Sequence, residues 1–150
     1  MRSPVRIREA TYADLDVVLS HAAAYYAFDR IPFDPVSVRA GLQALLANPG
    51  FGRVWLIESG AGVTGYAVLT FGFDHELGGR TGTLTDFYLR EDFRRQGIGT
   101  AALGLIEEQA RRQGLYAMEL QATHENAVAQ KLYRKMGYTA FDRVPMAKRL

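Results

Sequence analysis

Phe93-Arg94-Arg95-Gln96-Gly97-Ile98-Gly99-Thr100 is the stretch on which the reading of this chain turns. A β-branched and aromatic run, residues 81–89, leads into it, and an Ala/Leu-rich run, residues 100–112, leads out. The pattern predicts a strand, a short basic and glycine-rich turn, then a helix. Glycines let the backbone come close to a ligand and adopt conformations that a β-carbon forbids. The N–H groups of a first helical turn have no partner within the helix, and the helix dipole adds about half a positive charge there. Such an end seats an anion, phosphate above all. Arg94 and Arg95 at its lip have the planar fork that suits phosphate oxygens. A plain strand-to-helix turn also uses glycine, so the stretch by itself leaves both readings open.

Working outward toward the N-terminus, Val5-Arg6-Ile7-Arg8 alternates apolar and basic residues and predicts a first strand. Thr11-x-x-Asp14 is a capping-box-like start for a helix that runs to about residue 26, with Leu15, Val18, Leu19, Ala22 and Ala23 at helical spacing. Pro32 and Pro35 break it, and a second helix, about residues 35–47, carries Val38, Leu42, Leu45 and Leu46 on one face. Residues 53–59 and 63–73 predict strands joined by the tight hairpin Ser59-Gly60-Ala61-Gly62. A polar loop, residues 74–80, leads back into the strand at 81–89, completing an antiparallel meander.

Toward the C-terminus, Ile98, Ala102, Leu105, Ile106 and Ala110 recur at helical spacing, and Gly114 stops that helix. Residues 115–121 predict a short strand. His124-Glu125-Asn126 opens a further helix ending at Gly137, and residues 138–141 and 145–148 predict a closing strand pair. The order is β-α-α-β-β-β-α-β-α-β, an antiparallel meander followed by a β-α-β unit, so the sheet is expected to be mixed. No repeat or low-complexity stretch interrupts it.

A chain of 150 residues with 48% hydrophobic and 23% charged residues reads as one domain spanning 1–150. A formal net charge of +2 gives no electrostatic case for a nucleic-acid partner. With no cysteine there are no disulfides, no thiolate metal sites and no covalent cysteine intermediate. His21 and His124 lack metal-ligand spacing, so no metal is assigned. No apolar run reaches membrane-span length and none marks a signal peptide, so the expectation is a soluble, cytoplasmic protein with no membrane partner.

Asn126-x-x-Ala129-x-x-Leu132-Tyr133-x-x-x-Gly137-Tyr138 is a second signature. Seven residues is about two helical turns, so Asn126 and Tyr133 share a face and can touch one extended ligand. Asn126 also suits a helix cap, and a helix Tyr beside a C-terminal strand is a common core residue. This helix and Arg94-x-x-Gly97-x-Gly99 together resemble the two motifs of the GNAT N-acetyltransferase superfamily. The resemblance covers most of the chain, because the two early helices, Leu84-Thr85-Asp86-Phe87-Tyr88-Leu89, the glycine turn and the Asn-to-Tyr helix occur in the family's order.

That resemblance implies an α/β GNAT-like fold. Its central sheet would be mixed, mostly antiparallel and twisted, of about seven strands flanked by four helices and splayed between strands 4 and 5. It implies acetyl-coenzyme A as cosubstrate, with the diphosphate on Arg94, Arg95, Gln96, Gly97, Ile98, Gly99 and Thr100. The pantetheine would pair with Tyr88, Leu89 and Arg90, helped by a bulge near Tyr88, and would pass Asn126 and Tyr133. Chemistry of this kind is direct attack of a neutral amine on the thioester. Tyr133 is the candidate acid for the departing thiolate, a backbone N–H near Leu89 the candidate oxyanion donor, and Asp86 the candidate base. The polyamine-acetylating branch of the family has a Glu-Asp pair in the fourth strand; here Thr85 stands at the first position and Asp86 at the second. Asp86 can equally be a solvent-facing strand residue, and an ordinary Asp is too acidic for a base unless burial raises its pKa.

Tyr26, Asp29, Phe33, Glu76 and Asp86 are the candidate substrate-binding residues, part of an aromatic and acidic group that would draw a small cationic amine. Gly97-x-Gly99-x-x-Ala102 also fits a dinucleotide-binding pattern, but charged residues separate it from the preceding strand and antiparallel strands come first. The competing reading within the same fold is a non-catalytic acetyl-coenzyme A sensor or partner domain. The resemblance also implies a homodimer.

Overall fold

Two long runs of β-branched and aromatic residues build the middle of the sheet. The computed structural model describes residues 4–60 and 62–150. Among them, β1 (Arg6–Glu9), β2 (Gly52–Ser59), β3 (Gly62–Asp74), β4 (Gly79–Leu89) and β5 (Ala117–Leu120) form one sheet in chain order. The first four pair antiparallel and β4 pairs parallel with β5, so the sheet is mixed as expected. Ala61 of the expected hairpin lies outside the described residues.

Alternation sends Val54, Leu56, Tyr66 and Val68 to one face, where Leu15, Val18, Leu19, Ala22 and Leu42 cover them. These come from α1 (Leu15–Phe28) and α2 (Pro35–Ala47). Trp55, Ala67, Leu69 and Leu84 face the other way, onto Leu103, Ile106, Ala110 and Tyr133 of α3 (Ile98–Arg112) and α4 (Ala127–Lys135). A sheet covered on both faces has no polar side to show, which is why β2 and β3 read as near-continuous apolar runs.

Local chemistry sets the helix starts. The Asp14 carboxylate accepts from Thr11 N–H at 2.8 Å and pairs with Arg8 at 2.9 Å, which ties the entry of α1 to β1. Arg8 holds that carboxyl down at about 2. Asp34 caps α2 by accepting from Val36 N–H at 3.1 Å, with Pro35 in the first turn. The first helix runs on to Phe28, two residues past the expected end.

The expected closing strands do not form, so the sheet has five strands among the described residues rather than about seven. Residues 139–150 bury nothing: Phe141, Val144 and Met146 are 72%, 82% and 91% exposed. Each proposed strand is four residues long, the second starts on Pro145 with no N–H to give, and neither face would gain an apolar partner. Four helices flank the sheet, as expected.

Two departures from regularity shape its centre. Val68 pairs with Asp86 but Leu69 pairs with Leu84, so Thr85 is an extra residue in β4. The bulge falls at Thr85, three residues before Tyr88, where it was expected. It resets the alternation: Leu84 shares its face with Phe87 and Leu89, while Asp86 and Tyr88 turn toward α1. The second departure is the splay. The β4–β5 pairing ends at Leu84–Leu120, and β4 continues to Leu89 without that neighbour.

Candidate active site

The turn after β4 is built as an anion cradle. Gly97 caps α3 at φ 81°, and Arg95 is also left-handed at φ 59°. The first helical hydrogen bond runs from Ala101 N–H to Gly97 O at 3.1 Å, so the N–H groups of Ile98, Gly99 and Thr100 precede the helical ladder. Left-handed residues just before a helix N-terminus turn backbone N–H groups toward one spot. Arg95 is exposed, and Gln96 Nε2 donates to Asp92 O at 2.8 Å. A β-carbon placed on Gly99 would stand 3.5 Å from both Leu132 of α4 and Leu89 of β4. The cradle therefore adjoins the end of the splayed strand and the second-motif helix.

Backbone alternation decides which β4 groups face the gap. Arg90 N–H donates to Thr64 O at 2.9 Å, and Arg90 O accepts from Phe93 N–H at 3.0 Å, so both backbone groups of Arg90 are used within the fold. Tyr88 O lies against Gly65 of β3. In an antiparallel ladder the groups of the residue between them then point away from β3. Those are the N–H and C=O of Leu89. The Leu89 carbonyl accepts from Arg94 Nε at 2.9 Å. The Arg90 side chain pairs with Asp92 at 3.0 Å and lies over Phe93.

Behind this strand sits a half-buried acid among hydroxyls. Tyr66, fully buried on β3, donates its hydroxyl to Asp86 Oδ2 at 2.6 Å. Burial pushes the Asp86 carboxyl above the ordinary carboxylate range, and the hydrogen bond from Tyr66, with the nearby hydroxyls of Tyr26 and Thr85, only partly offsets that. Asp86 is thus no solvent-facing strand residue. Burial raises Tyr26 to about 12, with Asp86 adding to it, and raises Tyr25 further, with Asp29 and Asp86 adding. Tyr26 packs against Phe33 with ring centroids 5.6 Å apart, and Tyr25 against Tyr88 at 5.9 Å.

On the opposite side of β4, Tyr133 is 9% exposed and packs on Tyr138 at 6.0 Å. Burial, with Asp29 adding, raises its hydroxyl to about 12. In the group Tyr25, Tyr26, Asp29, Asp86 and Tyr133, Tyr25 lies within electrostatic reach of Asp29, Asp86 and Tyr133, Tyr26 of Asp86, and Tyr133 of Asp29. Asn126 accepts from Ala129 N–H at 3.1 Å and is the cap of α4.

Glu76 is not brought into this group. It lies in the β3–β4 turn, where Asp74 pairs with Gly79, six residues along β3 from Val68, the partner of Asp86. At about 3.3 Å per residue that is about 20 Å away. Two neighbours of the group, Tyr66 and His21, were not assigned to the site from sequence. Tyr66 becomes visible only from the β3–β4 register, which the bulge displaces. His21 donates from Nδ1 to Val17 O, 2.8 Å away, and lies 6.3 Å from both Tyr66 and Tyr88, its buried Nε2 without a partner among the described residues.

Comparison with known proteins follows the same lines. No curated protein sequence matches the chain. An integron cassette protein from the mobile metagenome of Cole Harbour Salt Marsh is 28% identical, with a TM-score of 0.83 over 96% of this chain and 90% of that one. A predicted acetyltransferase from Clostridium acetobutylicum, solved with acetyl-CoA, is 19% identical, with a TM-score of 0.81 over 96% of each chain. The aminoglycoside N-acetyltransferase AAC(6')-Iy in complex with CoA is 15% identical, with a TM-score of 0.81 over 98% of this chain and 95% of that one. At these last identities the likeness is one of fold. The family model described as acetyltransferase (GNAT) family matches residues 17–138, from the first turn of α1 to the residue after Gly137, and so takes in the cradle, the splayed strand and the Asn126-to-Tyr133 helix: the chain belongs to the GNAT acetyltransferase family.

Proposed function

We propose that this protein is an N-acetyltransferase that moves the acetyl group of acetyl-coenzyme A to a primary amine, with a small cationic amine as acceptor. The observation that carries the reading is the junction at the end of β4. There, a helix N-terminus preceded by a left-handed glycine adjoins an unpaired strand edge at Leu89 and Leu132, the residue before Tyr133 in α4. The N–H groups of Ile98, Gly99 and Thr100 suit a diphosphate, and the β4–β5 gap suits an extended amide-bearing arm. Acetyl-coenzyme A supplies the acyl group as an activated thioester. The protein's part is to hold, orient and move protons. Leu89 N–H points into the gap where a developing oxyanion would need a donor. Tyr133, raised to about 12, keeps its proton at neutral pH and can give it to a departing thiolate. Asp86, raised by burial, is closer to a working base than an exposed Asp and takes the amine proton directly or through water. Tyr26, Asp29 and Phe33 form the acceptor wall, where aromatic faces and acid favour a cation.

The protein is read as cytoplasmic and as working in a pair of like chains. Among the described residues no helix is long and apolar enough to cross a membrane. The exposed apolar side chains of residues 141–150 support self-association.

The test is continuous thiol release from acetyl-coenzyme A across a panel of polyamines, aminoglycosides, amino acids and arylamines, run beside Tyr133→Phe. Release with one class, reduced by the substitution, supports the reading. Binding of coenzyme A without release for any amine would favour a sensor, and neither binding nor release would overturn the acetyltransferase reading.

A further inference from the structure

Arg94 does something in this fold that a phosphate ligand need not do. Its Nε donates to Leu89 O at 2.9 Å, and its guanidinium carbon lies 4.5 Å from the ring centroid of Phe28 and 5.4 Å from that of Tyr88. One side chain thus joins the glycine turn, the end of β4 and the last residue of α1. Both faces and one edge of the guanidinium plane are the features that distinguish Arg from Lys at such a place.

The end of α1 is a segment that needs holding. Ile31 N–H bonds back to Tyr26 O at 2.8 Å, and Asp29 N–H to Tyr25 O at 2.9 Å. This closure puts Arg30 in the left-handed region, φ 56°, where glycine is the residue of choice. Phe28 is half-exposed, so little apolar packing fixes it apart from the stack with Arg94. Tyr25, Tyr26 and Asp29 all sit within one turn of Phe28.

We infer that Arg94 is a positioning residue for the acceptor side of the site: it fastens the end of α1 to β4 and so sets Tyr25, Tyr26 and Asp29 against Leu89. What that wall does rests on the acetyltransferase reading; the fastening does not.

The test uses the full chain with Phe28→Ala, Phe28→Tyr, Arg94→Lys and the Phe28→Ala/Arg94→Lys double substitution. Amide exchange at residues 25–31 is measured, with calorimetric titration of coenzyme A and the KM of whichever amine the panel identifies. Phe28→Ala and Arg94→Lys each speed exchange of the Asp29 and Ile31 amides by about tenfold, while Phe28→Tyr matches the parent. The double substitution is no faster than either single one, because both remove one contact. Phe28→Ala leaves coenzyme A affinity within about twofold and raises amine KM several-fold with kcat little changed. Unchanged exchange in Phe28→Ala overturns the inference. So does an Arg94→Lys chain that loses coenzyme A affinity while exchange stays at the parent rate, which is the behaviour of a phosphate ligand alone. A parent chain that does not bind coenzyme A counts against the acetyltransferase reading, and the exchange comparison still decides the role of Arg94.

Discussion

At the scale of single residues, Asp86 and Tyr133 were named from one motif position each, and burial is what gives each its chemistry. Tyr133→Phe keeps the ring and its packing on Tyr138 but removes its hydroxyl, the proposed proton donor to the thiolate. It should lower kcat by about 10²-fold or more and leave coenzyme A binding unchanged, read by steady-state kinetics beside calorimetry. For Asp86 the sign of the pH effect is fixed by the direction of its shift. Its folded pKa lies above the unfolded one, so between the two the native state holds a proton that the unfolded chain has lost. The contribution of Asp86 to stability is therefore greatest below an ordinary carboxylate value, about 3.9, and is lost as pH rises through the raised pKa. Asp86→Asn abolishes that titration while leaving an oxygen to accept from Tyr66. The substituted chain should melt higher than the parent at pH 8, with the gap closing toward pH 4, and should lose most amine acetylation. An equal gap at both pH values would mean that Asp86 is not held out of water. Sequence could name these two residues because the motif fixes them; it could not name Tyr66, whose partnership with Asp86 depends on which residues face each other across two strands.

At the scale of elements, the period-2 and period-3.6 patterns located all four helices and the five strands that form, to within a few residues at their ends. They failed where no burial backs the pattern: beyond Tyr138, residues 139–148 have strand-like composition but no face laid on the core. They were also silent on the Thr85 bulge, because an extra residue leaves no mark on composition yet decides which of Asp86 and Phe87 meets α1. The strand end carrying the site is held from behind by a close backbone approach. A β-carbon on Gly65 would fall 2.0 Å from Tyr88 O and 3.0 Å from Leu89 Cα. Gly65→Ala must therefore push β4 off β3 at the two residues that border the gap. It should cost about 1–3 kcal/mol of stability and weaken coenzyme A binding. Gly104→Ala is the contrast: it lies within α3 with open space where its β-carbon would go, and should add about 0.5–1 kcal/mol with binding unchanged. Chemical denaturation and calorimetry of the two variants separate a strand held by close approach from one that is not.

At the scale of the whole molecule, the sheet is covered on both faces by helices, but its β5 edge is not treated so well. That strand is four residues long, pairs only with β4, and is preceded by Tyr116, 73% exposed. After α4 the chain leaves Phe141, Val144, Met146 and Leu150 exposed, with nothing among the described residues to cover them. Scattered apolar side chains on a surface need no explanation, but four within ten residues are what association between like chains would bury. A closed two-fold pair is the commonest way to do so. Light scattering on the size-exclusion peak should give twice the mass of one chain. A stop after Tyr138 keeps the Tyr133–Tyr138 contact and removes all four exposed side chains, so it should give a monomer that still folds and still binds coenzyme A. A parent chain that runs as a monomer at micromolar concentration removes the proposal of a pair. A truncated chain that stays paired would move the interface to another face, and the exposed C-terminal residues would then need a different partner.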